Sequence, residues 1–191
     1  AFRGLVDRHD YEVPAAAAVD YLLGRPDVAD PARIAVVGVS LGGYRAARIA
    51  AFERRLAAAV VWGAIWNFGK VWRRQLEAPG RALPTSIEHG LHVTGASTVD
   101  EVTARLDLET LDHGIAERIV CPLLVLHGER DSQIPAEDAT RLYERAASAD
   151  KTLRIFTFEE GGSAHCQNDN RELAHDAIGD WLSDRLVTAA T

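Results

Sequence analysis

The chain contains the residues of a serine nucleophile at a spacing that favours nucleophilic chemistry. Ser40 lies at the centre of a G-x-S-x-G sequence that runs from Gly38 to Gly42. An apolar run precedes this sequence and an alanine-rich run follows it, which predicts a tight turn between a buried strand and a helix. Such a nucleophile elbow holds the serine backbone at angles that are costly for an L-residue and exposes the hydroxyl above the sheet edge. Ser40 is therefore the predicted nucleophile.

The same motif predicts the surroundings of the hydroxyl. Gly38 and Gly42 lack side chains, so the strand and the helix are expected to approach each other closely at both positions. The backbone N–H of Leu41 lies at the expected start of the helix, where a developing oxyanion would be stabilised. Leu41 is therefore the predicted oxyanion-hole donor.

A serine hydroxyl needs a base to take its proton, and the chain has seven histidines. The base should lie on a loop that follows a late strand. His165 satisfies this condition, because it follows the last predicted strand and precedes the last predicted helix. His127 ends a predicted strand and is expected to pack or to form a backbone hydrogen bond. His175 lies within a helix, where a surface or interhelical role is expected.

The acid that orients the base should follow the strand between nucleophile and base. Asp131 occupies the turn after the third predicted strand and is the predicted acid. Two alternatives stay open: Glu129 is a rival acid in the same loop, and an aspartate at this position is also typical of a turn cap. The order Ser40, Asp131, His165 is the order that α/β-hydrolases show.

Alternating strand and helix patterns predict a doubly wound, mostly parallel α/β sheet with flanking helices. The chain 1–191 is expected to form a single catalytic domain, with a cap-like excursion at about 63–95. The segment 33–38 is expected to have one unpaired side, because its neighbouring strand should lie upstream. A capping box, Thr98 with Glu101, predicts the start of a helix. The predicted strands are 33–38, 57–62, 122–127 and 153–158, and the predicted helices are 11–23, 41–52, 98–106, 135–147 and 171–186.

Composition excludes several classes of function. The net charge of −7 comes without a basic cluster, which argues against a nucleic-acid partner. The longest apolar stretch, 56–65, is too short to span a membrane, and no signal peptide is visible. Cys121 and Cys166 do not suggest a disulfide framework, so a cytoplasmic location is expected. Cys166 is expected to be a structural thiol whose side chain points away from His165.

The start of the chain predicts further sequence upstream. The chain contains no methionine and opens abruptly on Ala1. We therefore expect that residues before Ala1 belong to the protein and that the chain is the C-terminal portion of an α/β-hydrolase fold without its N-terminal strands.

Aromatic and imidazole side chains supply the remaining candidates. Trp62, Trp66 and Trp72 could line a substrate pocket, although a tryptophan that closes a strand is more often part of the core. His89 and His92 have a spacing that permits metal ligation on a helix, but no third ligand accompanies them. No metal site is therefore predicted.

Several segments resemble one branch of the α/β-hydrolase superfamily. This branch includes 2,6-dihydroxypseudooxynicotine hydrolase, FrsA-like proteins and fungal polyketide-shortening hydrolases. The G-x-S-x-G motif is common to the whole superfamily. The segment 55–63 and the His165-Cys166 pair are the features that resemble this branch in particular. The similar segments are 38–44, 55–63, 126–128 with Asp131, and 164–166.

The resemblance implies hydrolysis of a carbon–carbon bond next to a carbonyl, without a metal or organic cofactor. It also implies an N-terminal helical region that covers the site and supports a homodimer, and an upstream glycine-rich turn that donates the second oxyanion N–H. At least one member is thought to use an extra acid after the second strand, but 62–75 contains no Asp or Glu, and Asn67 is polar. Ester hydrolysis therefore stays open beside carbon–carbon cleavage of a small β-diketone-like molecule. A non-catalytic ligand-binding or regulatory protein with this fold is the alternative from another class.

Overall fold

The computed structural model describes residues 4–77 and 86–187, which form two compact units. The larger unit consists of residues 11–66 and 111–187, and the smaller one of residues 4–10, 67–77 and 86–110. The smaller unit extends beyond the predicted excursion at 63–95, because the helix that ends at Leu106 packs on the helix that begins at Phe68. The role of this segment as a cap stays a prediction.

Four parallel strands, seven α-helices and the short 3₁₀ helices Pro31–Arg33, Ala116–Arg118 and His165–Gln167 make up the regular structure of the described residues. The strands follow the order β1-β2-β3-β4 in the sheet, and every pair is parallel. This arrangement confirms the predicted α/β class. The strands are β1 (Ala35–Val39), β2 (Ala58–Trp62), β3 (Leu123–Gly128) and β4 (Lys151–Phe156), and the helices are α1 (Glu12–Leu23), α2 (Leu41–Phe52), α3 (Phe68–Glu77), α4 (Ile87–Thr94), α5 (Val99–Leu106), α6 (Ala136–Arg145) and α7 (Arg171–Val187).

The core of the larger unit is centred on β2 and β3, in which every residue is buried. Apart from His127, the residues of these strands are apolar, because a parallel sheet is covered on both faces. Ala174 and Trp181 of α7 pack against alternate residues of the two strands, among them Val60 and Leu126. Within residues 4–77 and 86–187, no helix has the length and apolar character needed to cross a bilayer.

Every predicted strand, and every predicted helix except α2, begins or ends one or two residues from its expected position. β4 begins and ends two residues earlier than predicted, because it pairs with β3 from Leu123 opposite Lys151 to Gly128 opposite Phe156. Phe158, the predicted last residue of this strand, lies exposed in the following turn. Pro135 is the N-cap of α6, one position before the first turn in which it was expected.

Strand β1 lies at one edge of the sheet. Within the part of the chain that the structure describes, it pairs only with β2, from Ala35 opposite Ala58 to Val39 opposite Trp62. This confirms the predicted unpaired side. Val37 and Val39 are 46% and 45% exposed, whereas the residues of β2 are buried.

The smaller unit is built from α3, α4 and α5. Trp72 is its central side chain, packs with Val102 and Leu106, and donates its indole N–H to the Thr103 hydroxyl over 3.2 Å. Its outer surface carries an Arg73–Asp107 ion pair. The side chain of Thr98 accepts the backbone N–H of Glu101, as the capping box predicts.

The close approach of β1 and α2 depends on one glycine of the G-x-S-x-G motif. A Cβ atom at Gly38 would lie 1.8 Å from the backbone oxygen of Gly42 and 2.8 Å from Cβ of Ala46. A Cβ atom at Gly42 would meet no atom within 4 Å among the described residues. The expectation that both glycines permit the approach is therefore wrong for Gly42. Its neighbour Gly43 is the second close contact, since a Cβ atom there would lie 2.8 Å from the backbone oxygen of Gly63.

This difference leads to a stability prediction. We expect Gly38→Ala to lower the free energy of unfolding by about 3 kcal/mol or more, because backbone atoms must move to admit the methyl group. Gly42→Ala is the matched control and should stay within about 1 kcal/mol of the wild type, since alanine is favoured over glycine inside a helix. Urea unfolding of both variants, followed by circular dichroism, measures the difference. Equal losses in the two variants would contradict the assignment of the close contact to Gly38.

Candidate active site

Ser40 lies in the turn that joins β1 to α2. Its backbone angles are φ 56° and ψ −120°, a conformation that costs an L-residue about 1–3 kcal/mol. Two backbone hydrogen bonds hold it there: the Ser40 N–H donates to the carbonyl of Trp62, and the Gly43 N–H donates to the carbonyl of Ser40, both over 2.7 Å. The structure therefore shows the strained strand–turn–helix geometry that the motif predicts.

The three predicted side chains Ser40, His165 and Asp131 meet at one place. Ser40 Oγ lies 2.9 Å from Nε2 of His165, and Nδ1 of the same ring lies 2.7 Å from Oδ2 of Asp131. The Asp131 side chain is 1% exposed and the His165 side chain 11% exposed. These distances allow a proton to pass from the hydroxyl to the imidazole, while the carboxylate fixes the other ring nitrogen.

The loops that carry the acid and the base pass close to each other at the end of β3. A Cβ atom at Gly128 would lie 2.3 Å from the carbonyl oxygen of Ser163, so only glycine permits this approach. The Arg130 N–H then donates to the Ser163 carbonyl over 2.9 Å and ties the two loops together. Oδ1 of Asp131 accepts the N–H groups of Gln133 and Ile134 over 2.8 and 3.0 Å. Both the loop contact and the turn therefore hold Asp131 opposite His165.

The rival acid Glu129 has a different partner. Its Oε2 accepts the backbone N–H of Phe158 over 3.0 Å, and the residue is exposed. Asp131 also forms the turn-cap contacts that its alternative interpretation predicts. One carboxylate therefore serves both purposes, with one oxygen on the turn and the other on His165.

The pKa values follow from these contacts. Burial alone would lower the pKa of His165, but the hydrogen bonds with Asp131 and Cys166 outweigh it and raise the pKa to about 9. Burial alone would raise the pKa of Asp131, but the hydrogen bonds from His165 and from the N–H groups of Ile134 and Gln133 lower it. Asp131 therefore stays ionised, and His165 holds its proton more strongly than a free histidine.

Cys166 does not point away from His165, and that expectation is wrong. Its Sγ lies 3.5 Å from Nε2 of His165 and 3.8 Å from the carbonyl oxygen of Trp62. The cause is a left-handed backbone, with φ 48° at Cys166, which turns the side chain back toward its neighbour. The thiol is buried and does not form a disulfide.

A cavity of about 400 Å³ opens beside Ser40 and His165. Trp62 lines this cavity and is also a core residue, 6% exposed, so its role in substrate binding stays a prediction. Its indole N–H donates to Oε1 of Gln167 over 2.6 Å, and its ring meets that of His175 edge to face at 5.4 Å. The cavity is also lined by residues that sequence reasoning did not single out, because no motif marks them: Val39, Asn168 and Arg171.

The other candidates lie elsewhere. Trp66 is not among the residues that line this cavity; it is 3% exposed, and its indole N–H donates to Asp112 over 2.9 Å. Trp72 belongs to the core of the smaller unit. His89 and His92 are exposed on α4. Leu41 is the first residue of α2, so its N–H has no acceptor within the helix.

The parallel sheet, the elbow at Ser40 and the loops that carry Asp131 and His165 define the α/β-hydrolase class of fold. The profile of the prolyl oligopeptidase family matches residues 14–188. The chain therefore belongs to this family.

Known relatives agree with this assignment and with the branch that the sequence resembles. The 2,6-dihydropseudooxynicotine hydrolase of Paenarthrobacter nicotinovorans is 32% identical over 180 residues, which are 93% of this chain and 45% of that protein. A crystal structure of 2,6-dihydroxy-pseudo-oxynicotine hydrolase has a TM-score of 0.77 at 29% identity and covers 95% of this chain and 48% of its own. Acetyl xylan esterase 1 from Thermoanaerobacterium shares the fold, with a TM-score of 0.62 at 20% identity over 90% of this chain and 51% of its own. The chain thus spans about half the length of these relatives.

The contact between Asp131 and His165 leads to a pH prediction. Only neutral His165 can take a proton from Ser40, so the rate of Ser40 modification should rise with pH, with a midpoint displaced from 6.5 toward about 9. Asp131→Asn should lower this midpoint, because an amide no longer stabilises the imidazolium. It should also slow the reaction by about 10⁴-fold, because an amide N–H facing Nδ1 favours the wrong tautomer.

The measurement is the rate of labelling by a fluorophosphonate as a function of pH. Glu129→Gln is the control, since Glu129 lies in the same loop and contacts Phe158 instead, and it should leave rate and midpoint unchanged. If the midpoint moved in Glu129→Gln but not in Asp131→Asn, Glu129 and not Asp131 would be the acid that orients His165.

Proposed function

We propose that this protein is a cofactor-independent serine hydrolase that cleaves a small carbonyl compound, with Ser40 as nucleophile, His165 as base and Asp131 as the orienting acid. The observation that carries this proposal is the unbroken chain of contacts from Ser40 Oγ to Nε2 of His165 at 2.9 Å and from Nδ1 to Asp131 at 2.7 Å. Membership of the prolyl oligopeptidase family supports it.

The geometry supports acylation in the following way. Ser40 Oγ attacks the carbonyl carbon of the substrate while its proton passes to Nε2 of His165. Asp131, which is ionised and buried, stabilises the imidazolium that forms. The N–H of Leu41, at the start of α2, donates to the oxygen on which negative charge develops. The tetrahedral intermediate collapses as the leaving group departs with the proton from Nε2.

Deacylation uses the same groups in reverse roles. Neutral His165 takes a proton from a water molecule, whose oxygen attacks the acyl carbon on Ser40. The proton on Nε2 then returns to Ser40 Oγ as the acyl–oxygen bond breaks. The protein supplies the nucleophile, the base and the oxyanion donor, so this sequence of steps requires no metal or organic cofactor.

Two kinds of scissile bond fit this mechanism. In an ester the leaving group is an alkoxide, and in a β-diketone-like compound it is a carbanion stabilised by the second carbonyl; the imidazolium can protonate either. The relative from Paenarthrobacter, whose name describes a hydrolase of an oxynicotine compound, supports a small organic substrate. The Trp62 wall of the cavity supplies an apolar surface for such a molecule. We also propose that the protein acts on this small-molecule substrate as a homodimer.

Replacement of the nucleophile tests the proposal. Ser40→Ala should abolish covalent labelling by a fluorophosphonate probe, and turnover of any ester or β-diketone that the intact protein hydrolyses should fall by about 10⁶-fold. Ser183→Ala, an exposed serine on α7, is the matched control and should retain wild-type labelling and turnover. Intact-protein mass spectrometry detects the adduct.

Two outcomes would contradict different parts of the proposal. Wild-type labelling of the Ser40→Ala variant would place the nucleophile elsewhere. Absence of labelling and of turnover in the wild type, over the whole panel of esters and β-diketones, would favour the ligand-binding alternative.

A further inference from the structure

His127 is a fully buried histidine directly beneath the acid of the proposed triad. It is 0% exposed, near the end of β3 and paired in the sheet with Ile155. Its Nε2 lies 3.1 Å from the carbonyl oxygen of Ile134 and 3.5 Å from Oδ2 of Asp131. Oδ2 is the same oxygen that contacts His165. A second imidazole therefore borders the carboxylate on which the base depends.

These contacts fix the protonation of the His127 ring. A carbonyl oxygen can only accept a hydrogen bond, so Nε2 must carry the proton that it donates to Ile134. Nδ1 is buried and has no hydrogen-bond partner among the described residues. A second proton on Nδ1 would place a positive charge in the interior without a partner at that atom.

Burial favours a neutral His127 ring, although two carboxylates lie near it. Burial lowers the pKa of His127 and outweighs the opposing effects of the hydrogen bond to Ile134 and of the charges on Asp131 and Asp138, while the nearby His165 lowers the pKa further. His127 is therefore a neutral donor at a place where a charged group would compete with His165 for the carboxylate of Asp131.

We propose that His127 is a positioning residue for Asp131, and hence for His165. Its N–H holds the carbonyl of Ile134, and the N–H of Ile134 in turn holds Oδ1 of Asp131 over 3.0 Å. One side chain thus anchors the turn 131–134 to the end of β3, with the carboxylate aimed at the base. This inference rests on the proposed triad, because it gives His127 a role only through Asp131 and His165.

The proposed role of His127 depends on the N–H at Nε2. Side-chain replacements can distinguish the effect of this donor from the effect of the side chain's volume on packing. Leucine has a similar volume but no donor. Glutamine carries an amide nitrogen at about the position of Nε2, whereas asparagine, which is shorter, carries one at about the position of Nδ1. Leu124→Val is the matched control, because Leu124 is buried in the same strand and lies three residues, or about 10 Å, away.

The experiment measures the rate of Ser40 labelling by a fluorophosphonate from about pH 5 to about pH 10, with the melting temperature and the NMR titration of the His165 ring for each variant. We expect His127→Leu to label roughly 10- to 100-fold more slowly, because a small displacement of a catalytic group has effects of this size. The midpoint of labelling and the NMR midpoint of His165 should both fall by about one unit, toward 6.5. His127→Gln should restore both, and His127→Asn should not. Leu124→Val should melt at a lower temperature with both midpoints unchanged.

Separate outcomes overturn this inference and the proposed function. If His127→Leu melts at a lower temperature but keeps the wild-type midpoints, or if the Gln and Asn variants behave alike, His127 is a packing residue and the inference is wrong. If the wild type is not labelled, the proposed function fails, and the NMR midpoint of His165 still decides whether His127 positions the pair. If His127→Leu does not fold, the comparison of the Gln and Asn variants decides.

Discussion

The buried charge of Asp131 is the constraint on which the site depends. A carboxylate that is 1% exposed is stable in its ionised form only when hydrogen-bond donors compensate the loss of water. Three donors do so at hydrogen-bond distance: the N–H groups of Gln133 and Ile134 on one oxygen and Nδ1 of His165 on the other. The need to compensate the charge of Asp131 therefore also fixes the turn around it and the tautomer of His165. Ser40 Oγ in turn contacts Nε2 of His165, the ring nitrogen that is left to receive the hydroxyl proton.

The parallel register of the sheet brings these groups together, although Ser40 and His165 are 125 positions apart in the chain. Val39 lies opposite Trp62, Trp62 opposite Leu126, and Gly128 opposite Phe156, so β1, β3 and β4 end on the same edge. A shift of one residue in any pair would move the following loop by about 3.3 Å, which exceeds the tolerance of a hydrogen bond. The core that fixes the register is therefore also what fixes the distances of the site.

The positions that sequence reasoning could identify are those with a local signal. Ser40 follows from its motif and flanking elements, and Asp131 and His165 follow from their order after late strands. The sequence could not show that Gly43, and not Gly42, meets the neighbouring loop, because that contact comes from a different strand. Nor could it show the direction of Cys166, which depends on a left-handed backbone that no residue type signals.

The polar groups beneath the site have no sequence signature, and yet they connect the loops that carry Asp131 and His165 to the sheet. The indole N–H of Trp62, at the end of β2, donates to Oε1 of Gln167 in the loop of His165 over 2.6 Å. The imidazole N–H of His127, in β3, donates to the carbonyl of Ile134 in the loop of Asp131. Cys166 and Gln167 both have φ 48°, a conformation that costs about 1–3 kcal/mol per residue. A buried hydrogen bond at Gln167 offsets part of this cost. The hydrogen bond thereby helps to hold the strained loop in a conformation in which His165 contacts Ser40.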